Sequence, residues 1–368
     1  MMVTKGEVFM SELTTRPYDE TSPSQRTAWR EPDAAYGTYA LQDPSLFAKP
    51  QDVPSDYVAY NPSAIWTVRG KSGVAHDIMY VRVEPNRSSP DSSHLGKSVV
   101  RPYLVDPRNP GVTLQPYYEA EEKLGEDAAL TRVNRQLSRG RLEEIWLLSC
   151  VDPKPMPAKP NEVQTLCTRF YAGTSLKNLE HVADGPEWMK DIRVAQADGP
   201  LGTELELYGR PQSRADSGNI THATIASLDE LTPETIAAAS YIDENLLPIG
   251  SGMWGGVNDV VKISKGKYVL AAHRAWRTGG DGTGRHYESV LYGHNTRANR
   301  VVELGVLATA KLFPGGATKN DTNVNLSDVV FTGGGYNGGL DFMTFGLRDG
   351  AIGISSLRQL QRQLHLVK

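Results

Sequence analysis

From residue 64 onward the sequence divides into short runs rich in β-branched and aromatic residues, each closed by glycine, proline or a polar cluster. The first seven read AIWTVRG, IMYVRVE, EEIWLLSCV, TLCTRFYAG, DIRVAQ, TELELYG and HATIAS. Seven more follow: NDVVKI, KYVLAAHRAW, YESVLYGH, RVVELGVLA, DVVFTG, LDFMTFGL and AIGISSL. The chain's 35 glycines and 23 prolines supply the punctuation. Turn signals every ten or so residues between such runs argue an all-β fold: sandwich, barrel or propeller. Fourteen runs are too many for one simple sandwich. A propeller of about five four-stranded blades fits the number, and it gathers polar residues from distant parts of the chain around one axial pocket.

Local signals refine this reading. NDVVKI-SKG-KYVLAAH predicts a hairpin with a short glycine-containing turn. One helix is expected in LTPETIAAASYIDENLL, with Thr232 as its cap and Pro233 at its first position. No sequence repeat is evident. Residues 1–40 are polar and predict an irregular lead-in, with residues 41–368 as one domain.

Bulk properties exclude several classes. The formal charge of −4 and a pI near 6.1 give no electrostatic footprint for nucleic acid. No apolar run approaches the roughly 20 residues that span a bilayer, and the N-terminus lacks the apolar core of a secretory signal. Cys150 and Cys167 are the two cysteines, too few for a disulfide framework, so a reduced, cytoplasmic protein is expected. The eight histidines show no metal-ligand spacing, and no metal site is expected. GGDGTGRH lacks the strand–helix setting of a dinucleotide loop, and FPGGATKN lacks the ending of a phosphate loop.

Charges recur where apolar residues ought to be buried. In GPEWMKDIRV, strand alternation would place Asp191 and Arg193 on one face, with Lys190 and Ile192 on the other. Arg82, Glu84 and Arg87 lie in MYVRVEPNRSS, and Glu126 and Asp127 in KLGEDAALTRV, just before the strand EEIWLLSC. Arg210 lies in ELYGRPQ, Asn258 in MWGGVND, His273 in VLAAHRAW, Asp328 beside DVVFTGG and Asp349 at the end of FMTFGLRD. Each alone reads as a solvated or structural residue. Together, carboxylates, guanidiniums and aromatics at strand ends suit a carbohydrate site, where carboxylates and arginines pair with hydroxyls and aromatic faces stack on sugar rings.

The ordered set YNPSAIWTVRG, YVRVEPNRSS, GEDAAL, WMKDIR, GRPQ, WGGVND, AAHRAW, HYES, FPGGATK, DVVFTGG and GLRDGAIG resembles the domain of unknown function 1861 family over roughly residues 55–355. That family is similar to the mannosyltransferase/phosphorylases of glycosyltransferase family 108 and, in turn, to the β-mannoside phosphorylases of glycoside hydrolase family 130. The resemblance implies a five-bladed β-propeller with a central funnel-shaped active site. It also implies an inverting phosphorylase or mannosyltransferase of β-1,2-linked manno-oligosaccharides.

Carried over residue by residue, GEDAAL makes Asp127 the general acid, without the Pro-Arg that follows it in family 130. Lys190, Arg193, Arg210 and His273 are then the expected phosphate contacts, and Asp191 a second catalytic candidate. Asn61, Arg82, Glu84, Arg87, Glu126, Trp254, Asn258, Tyr287, Asp328 and Asp349 are expected to line the sugar pocket. Burial and the neighbouring Glu126 should raise the pKa of Asp127. No cofactor is expected; inorganic phosphate or a sugar phosphate is the co-substrate, an oligosaccharide the other partner, and a homo-oligomer is compatible with the chain. The alternatives are a glycoside hydrolase, with Asp191 or Glu84 activating water, and a non-catalytic sugar-binding propeller.

Overall fold

The computed structural model describes residues 45–47, 50, 52–86, 97–108, 114–156, 159–212, 220–242, 253–278, 284–310, 313 and 325–356. The expected lead-in at residues 1–40, Arg87, and the segments GGDGT and PGGATK lie outside these residues. Among the described residues the chain is nearly all β, and every one of the fourteen runs named above forms a strand.

The short β1 (Ser45–Phe47) pairs at the end of the last sheet. The first sheet holds β2 (Tyr57–Pro62), β3 (Trp66–Arg69), β4 (Ala75–Pro85), β5 (Val99–Leu104), β6 (Gln115–Pro116) and β7 (Lys123–Leu124). The second is β8 (Glu126–Gln136), β9 (Leu142–Met156), β10 (Lys159–Gly173) and β11 (Glu180–Asp184). The third is β12 (Met189–Gln196), β13 (Leu205–Pro211), β14 (Thr221–Ile225) and β15 (Ser240–Tyr241). The largest joins two antiparallel groups. One is β16 (Met253–Ser264), β17 (Lys267–Thr278), β18 (Gly284–Asn295) and β19 (Arg300–Ala308). The other is β20 (Asn325–Thr332), β21 (Phe342–Leu347), β22 (Ala351–Ser356) and β1. A parallel pairing of β18 with β20 connects them.

Each group packs face to face on the next. Tyr80 and Val100 of the first sheet meet Leu130 and Leu148 of the second, and Phe170 and Leu147 of the second meet Ile192 and Leu207 of the third. Tyr208 and Ile220 meet Tyr268 and Leu270, and Val269 and Leu291 meet Met343 and Phe345. Val81 and Tyr103 of the first sheet pack against Ile352 and Ile354, which closes the circuit. Burying each such side chain contributes about 1.5–3 kcal/mol. Sheets covered on both faces explain why runs such as KYVLAAHRAW are continuously apolar rather than alternating: β17 is buried without a break from Tyr268 to Ala275.

The hairpin forms as β16 and β17, turning at Gly266 with φ +68°. The helix, α1 (Pro233–Ala237), is shorter than the sequence suggests. Thr232 caps it and Pro233 opens it, but it stops at Ala237, because Ser240 and Tyr241 pair instead with His222 and Thr221. Glu126 and Asp127 begin an 11-residue strand of their own, β8, ahead of the EEIWLLSC strand β9. Cys150 and Cys167 lie on the adjacent strands β9 and β10 as free, buried thiols.

Candidate active site

The first strands β2, β8, β12 and β16 are each broken by a bulge. The register shifts between Tyr60 and Pro62, Glu126 and Ala129, Lys190 and Arg193, and Val257 and Asp259. The residues in these breaks are Asn61, Asp127, Asp191 and Asn258, which recur every 64 to 67 residues. Here is the repeat the sequence hides: one Asn or Asp per sheet, at the same structural position. Asn61, Asp127 and Asp191 have positive φ of 46°, 49° and 53°, a conformation that Asn and Asp tolerate best among residues other than glycine. A bulge re-aims the side chain it carries. All four residues are buried. Positive φ also breaks simple alternation in β12, yet Asp191 and Arg193 still meet at 3.5 Å.

Asp127 anchors the second sheet to the first. Its Oδ1 accepts from Asn61 Nδ2 at 2.8 Å and from Arg82 Nη1 at 3.3 Å. Arg82 lies among three carboxylates, reaching Glu84 and Glu126 at 2.6 Å each. Glu84 is fully buried and is held by Tyr60 Oη and Ser98 Oγ, both at 2.6 Å. The Asn61 position depends on Gly346, where a Cβ would lie 2.0 Å from Asn61 Oδ1 and 2.9 Å from its backbone nitrogen. Gly346→Ala should therefore displace Asn61 and cost about 1–3 kcal/mol, read as a lowered melting temperature together with reduced turnover.

The third and fourth groups supply the cations. Arg210 Nη1 lies 3.2 Å from Asp191 Oδ2 and donates to His273 Nε2 at 2.7 Å. His273 Nδ1 in turn faces Asn258 Oδ1 at 2.7 Å. The ring packs between Tyr287 and Phe331. Both ring nitrogens are thus occupied, and burial pushes the His273 pKa down to about 3, helped by Lys190 and Arg193. His273 thus stands as a neutral spacer between Arg210 and Asn258.

Arg193 is likewise engaged by protein groups. Its guanidinium donates Nε to Asn258 O at 2.9 Å, Nη2 to Asp127 O at 3.2 Å and Nη1 to Ile192 O at 3.4 Å. It ties three bulges together through their carbonyls and is 2% exposed. Lys190 differs. It is half-buried, and among the described residues its ammonium makes no close ion pair and no hydrogen bond. Asp191, Asp127, Tyr287 and Glu126 surround it and raise its pKa despite the opposing effect of burial.

The expected rise in pKa falls on Glu126 and not on Asp127. Burial would raise both carboxyls. For Asp127 the pull of Arg82 and Lys190 and the Asn61 hydrogen bond more than offset burial, and its pKa is lowered. Burial of Glu126, with Glu84 and Asp127 as neighbours, pushes its pKa up to about 7 although Arg82 opposes this. Asp191 is also raised, by burial. Several buried polar atoms make no hydrogen bond in the protein: the carboxylate oxygens of Asp191, which meet Arg193 and Arg210 as ion pairs only, and Asn61 Oδ1 lack a well-aligned donor, and Asn258 Nδ2 and Arg210 Nε lack an acceptor. Such atoms are expensive to leave unmade, and their convergence describes a site shaped for a polar ligand.

Asp349, in the turn between β21 and β22 with φ +49°, lies within electrostatic reach of Tyr60 and Tyr287. Trp254 Nε1 donates to Tyr287 Oη at 3.3 Å, placing an aromatic pair beside the cluster. Asp328 stands apart. It faces His286 Nδ1 at 2.6 Å, and His286 Nε2 meets Thr278 Oγ1 at 2.6 Å under the stacked Trp276. Tyr60, Ser98 and Phe331, which support the cluster, had no polar pattern in the sequence to mark them.

The buried histidine makes stability pH-dependent. The unfolded His273 titrates near 6.5 and the folded one near 3, so the unfolded state binds more protons between these values. This contribution to stability is present above about 6.5 and is lost as pH falls towards 3. Glu126 acts oppositely: its contribution is present below about 4.5 and is lost as pH rises through about 7. Urea unfolding at pH 5 and 7.5 should show a flatter acid-side slope for His273→Gln than for the wild type, and identical slopes would remove His273 from this account.

A profile of the family described as "Protein of unknown function (DUF1861)" matches residues 141–343. The chain belongs to the DUF1861 family. The matched segment carries Lys190, Asp191, Arg193, Arg210, Asn258, His273 and Tyr287, whereas Asn61, Arg82 and Asp127 precede it. No curated protein sequence matches this DUF1861 member. Among solved structures it is similar to a mannose phosphorylase from Leishmania mexicana, in complex with phosphate ion. Identity is 21% and the TM-score 0.66, over 88% of this chain and 90% of that one. It is also similar to a GDP-Man-dependent mannosyltransferase from Leishmania mexicana, at 21% identity and a TM-score of 0.66, over 87% and 91% of the two chains. A hypothetical protein from Leishmania major gives 22% identity and a TM-score of 0.61, over 85% and 89%. At these identities the shared property is the fold.

Proposed function

We propose that this DUF1861 protein is an inverting β-mannoside phosphorylase or mannosyltransferase acting on β-1,2-linked manno-oligosaccharides. The observation that carries the proposal is the half-buried Lys190, whose ammonium lies in the field of Asp191, Asp127 and Glu126 but is held by no hydrogen bond or close ion pair among the described residues, beside a carboxyl pushed up to about 7 on Glu126. A phosphate needs an unpaired cation, and a glycosidic oxygen needs a protonated acid near neutral pH. The cluster offers both within one set of bulged strands. The fold likeness to a mannose phosphorylase and a mannosyltransferase supports the same chemistry. We read the architecture as five blades: β2–β7, β8–β11, β12–β15, β16–β19, and β20–β22 closed by β1.

In this reading the Glu126–Asp127 pair supplies the acid, with the proton carried on Glu126 and Asp127 held as its anion by Asn61, Arg82 and Lys190. Phosphate lies against Lys190, with Asn258 Nδ2 and Arg210 as further donors. It attacks the anomeric carbon from the face opposite the leaving oxygen. The bond to that oxygen breaks as the proton is delivered, directly or through a sugar hydroxyl, and the configuration inverts. No second carboxylate base is required, because phosphate is itself the nucleophile. Asp191, Asp349 and the Trp254–Tyr287 pair hold sugar hydroxyls and a ring face. A cytoplasmic setting agrees with the free thiols of Cys150 and Cys167.

The test is incubation of the protein with mannose 1-phosphate or GDP-mannose together with mannose, followed by analysis for oligosaccharide. Product from either donor supports the proposal and identifies the donor. Release of free mannose from β-1,2-mannobiose at a rate independent of phosphate would make the protein a hydrolase, and no turnover of any of these would leave a sugar-binding protein.

A further inference from the structure

A row of side chains leads from the buried cluster to the outer ends of β17 and β18. The two strands pair without a register break from Lys267 and Asn295 to Thr278 and Gly284. Directly opposite residues share a face of the sheet, and so do residues two apart on one strand. His273 and its partner Ser289 therefore share a face with the pair Ala275 and Tyr287, and with the pair Arg277 and Arg285. β16 adds Trp254 opposite Ala275. The row begins in the cluster, where His273 is held by Arg210 and Asn258. Its middle is the Trp254–Tyr287 pair. Its outer end is two guanidiniums, Arg277 exposed and Arg285 half-buried. Arg285 stands two residues from Tyr287, about 7 Å along the strand.

Two arginines directly opposite each other, with Cβ atoms about 5 Å apart, repel and weaken the ladder that carries them. Among the described residues neither forms an ion pair. The contacts they make confirm their face: Arg277 lies over the Trp254 ring at 5.8 Å, and Arg285 acts on Tyr287 through space. Two carboxylates belong to the same region. Asp328 pairs in register with His286, on the opposite face, and meets its Nδ1 at 2.6 Å. Asp349 also acts on Tyr287, without an ion pair to either arginine. An oxyanion between Arg277 and Arg285 would turn their repulsion into attraction. Guanidinium forks match the paired oxygens of a phosphoryl or carboxylate group. Lys190 acts on Tyr287 from the cluster side, so the ring lies between two separate sources of positive charge.

We propose that Arg277 and Arg285 form a second anion subsite, outward of Lys190, for a phosphoryl or carboxylate group that the substrate carries beyond the sugar that reacts. The inference rests on the reading of the central cluster as the place of mannosyl transfer. Trp254 and Tyr287 line the path between the reacting sugar and this outer charge. The charge comes either from the distal phosphate of a nucleoside diphosphate sugar or from an acidic sugar in the saccharide. Both present the same oxygens to the two guanidiniums. The pair thereby selects substrates with a charge at that distance over neutral saccharides and sugar monophosphates.

The experiment is equilibrium binding to the full chain and to Arg277→Gln/Arg285→Gln. The probes are mannose 1-phosphate, GDP-mannose, β-1,2-mannobiose and mannose β-1,2-linked to mannuronic acid. The double substitution should weaken GDP-mannose, the uronate or both about tenfold or more, and mannose 1-phosphate and mannobiose far less. A loss confined to GDP-mannose identifies the distal phosphate as the anion. A loss confined to the uronate identifies an acidic saccharide, and a loss on both shows that the subsite accepts either. The melting temperature should hold or rise, because a repulsive pair is removed. Equal losses on all four probes, no loss on any, or a clear fall in melting temperature would each overturn the proposal. Binding needs no turnover, so an absence of mannosyl transfer would remove the reaction proposed above and leave this test standing.

Discussion

Glu126→Gln should lower turnover roughly 10²-fold or more, the range a general acid contributes, while the melting temperature changes little. Glutamine keeps the shape of the side chain and an oxygen for Arg82, which reaches Glu126 at 2.6 Å, but it has no proton to give. The loss should shrink on a substrate with a good leaving group, which needs little protonation. Wild-type turnover should fall as pH rises through about 7, where the Glu126 carboxyl loses its proton, and the variant should lack that limb. Asp127→Asn makes the contrast. It removes the anion that Asn61, Arg82 and Lys190 converge on, so it should disturb the cluster and lower turnover to a similar extent with either leaving group. The opposite pattern would assign the acid to Asp127, as the resemblance to family 130 implies, and leave Glu126 as a counter-ion of Arg82.

That reversal shows where sequence is informative and where it is not. Strand runs such as KYVLAAHRAW were legible because sheets covered on both faces need continuous apolar residues. Among the strands that escaped notice are β2, β5 and β8, whose runs YVAYNP, VVRPYL and EDAALTRVNRQ are interrupted by proline or charge. Two of those interruptions are the site itself: Asn61 and Asp127 sit in bulges, where the chain departs from the regular pattern that makes a strand recognisable. The recurrence of Asn61, Asp127, Asp191 and Asn258 was present in the sequence, but four single residues in dissimilar surroundings do not register as a repeat. The residue types of the cluster could be read, as could much of its membership. The division of labour within it could not, because it depends on which donors are already taken. Arg193 and Lys190 stand three residues apart and look equally suited to an anion, yet one is saturated by carbonyls and the other is without a partner among the described residues.

Arg193→Ala should lower stability by about 3–5 kcal/mol, the cost typical of breaking a buried charged network by removing one partner. The guanidinium crosses from β12 to β8 and β16, so its loss removes a donor from the carbonyls of Asp127 and Asn258 and leaves Ile192 O to Ser149 Oγ alone, and it takes from Asp191 one of its two arginines. Lysine should not rescue it, since a single ammonium cannot direct donors to three carbonyls on different strands. Sugar and phosphate affinity should fall together, because the bulges that aim Asp127 and Asn258 both relax. Lys190→Met is the comparison: phosphate affinity should fall at least about tenfold, with sugar affinity and melting temperature nearly unchanged, because the ammonium holds no protein partner among the described residues. Measuring melting temperature, phosphate affinity and sugar affinity for the three variants separates the roles. A stable Arg193→Ala protein with a defect confined to phosphate would return the anion-binding role to Arg193. A Lys190→Met protein that loses stability without losing phosphate would make Lys190 the strut.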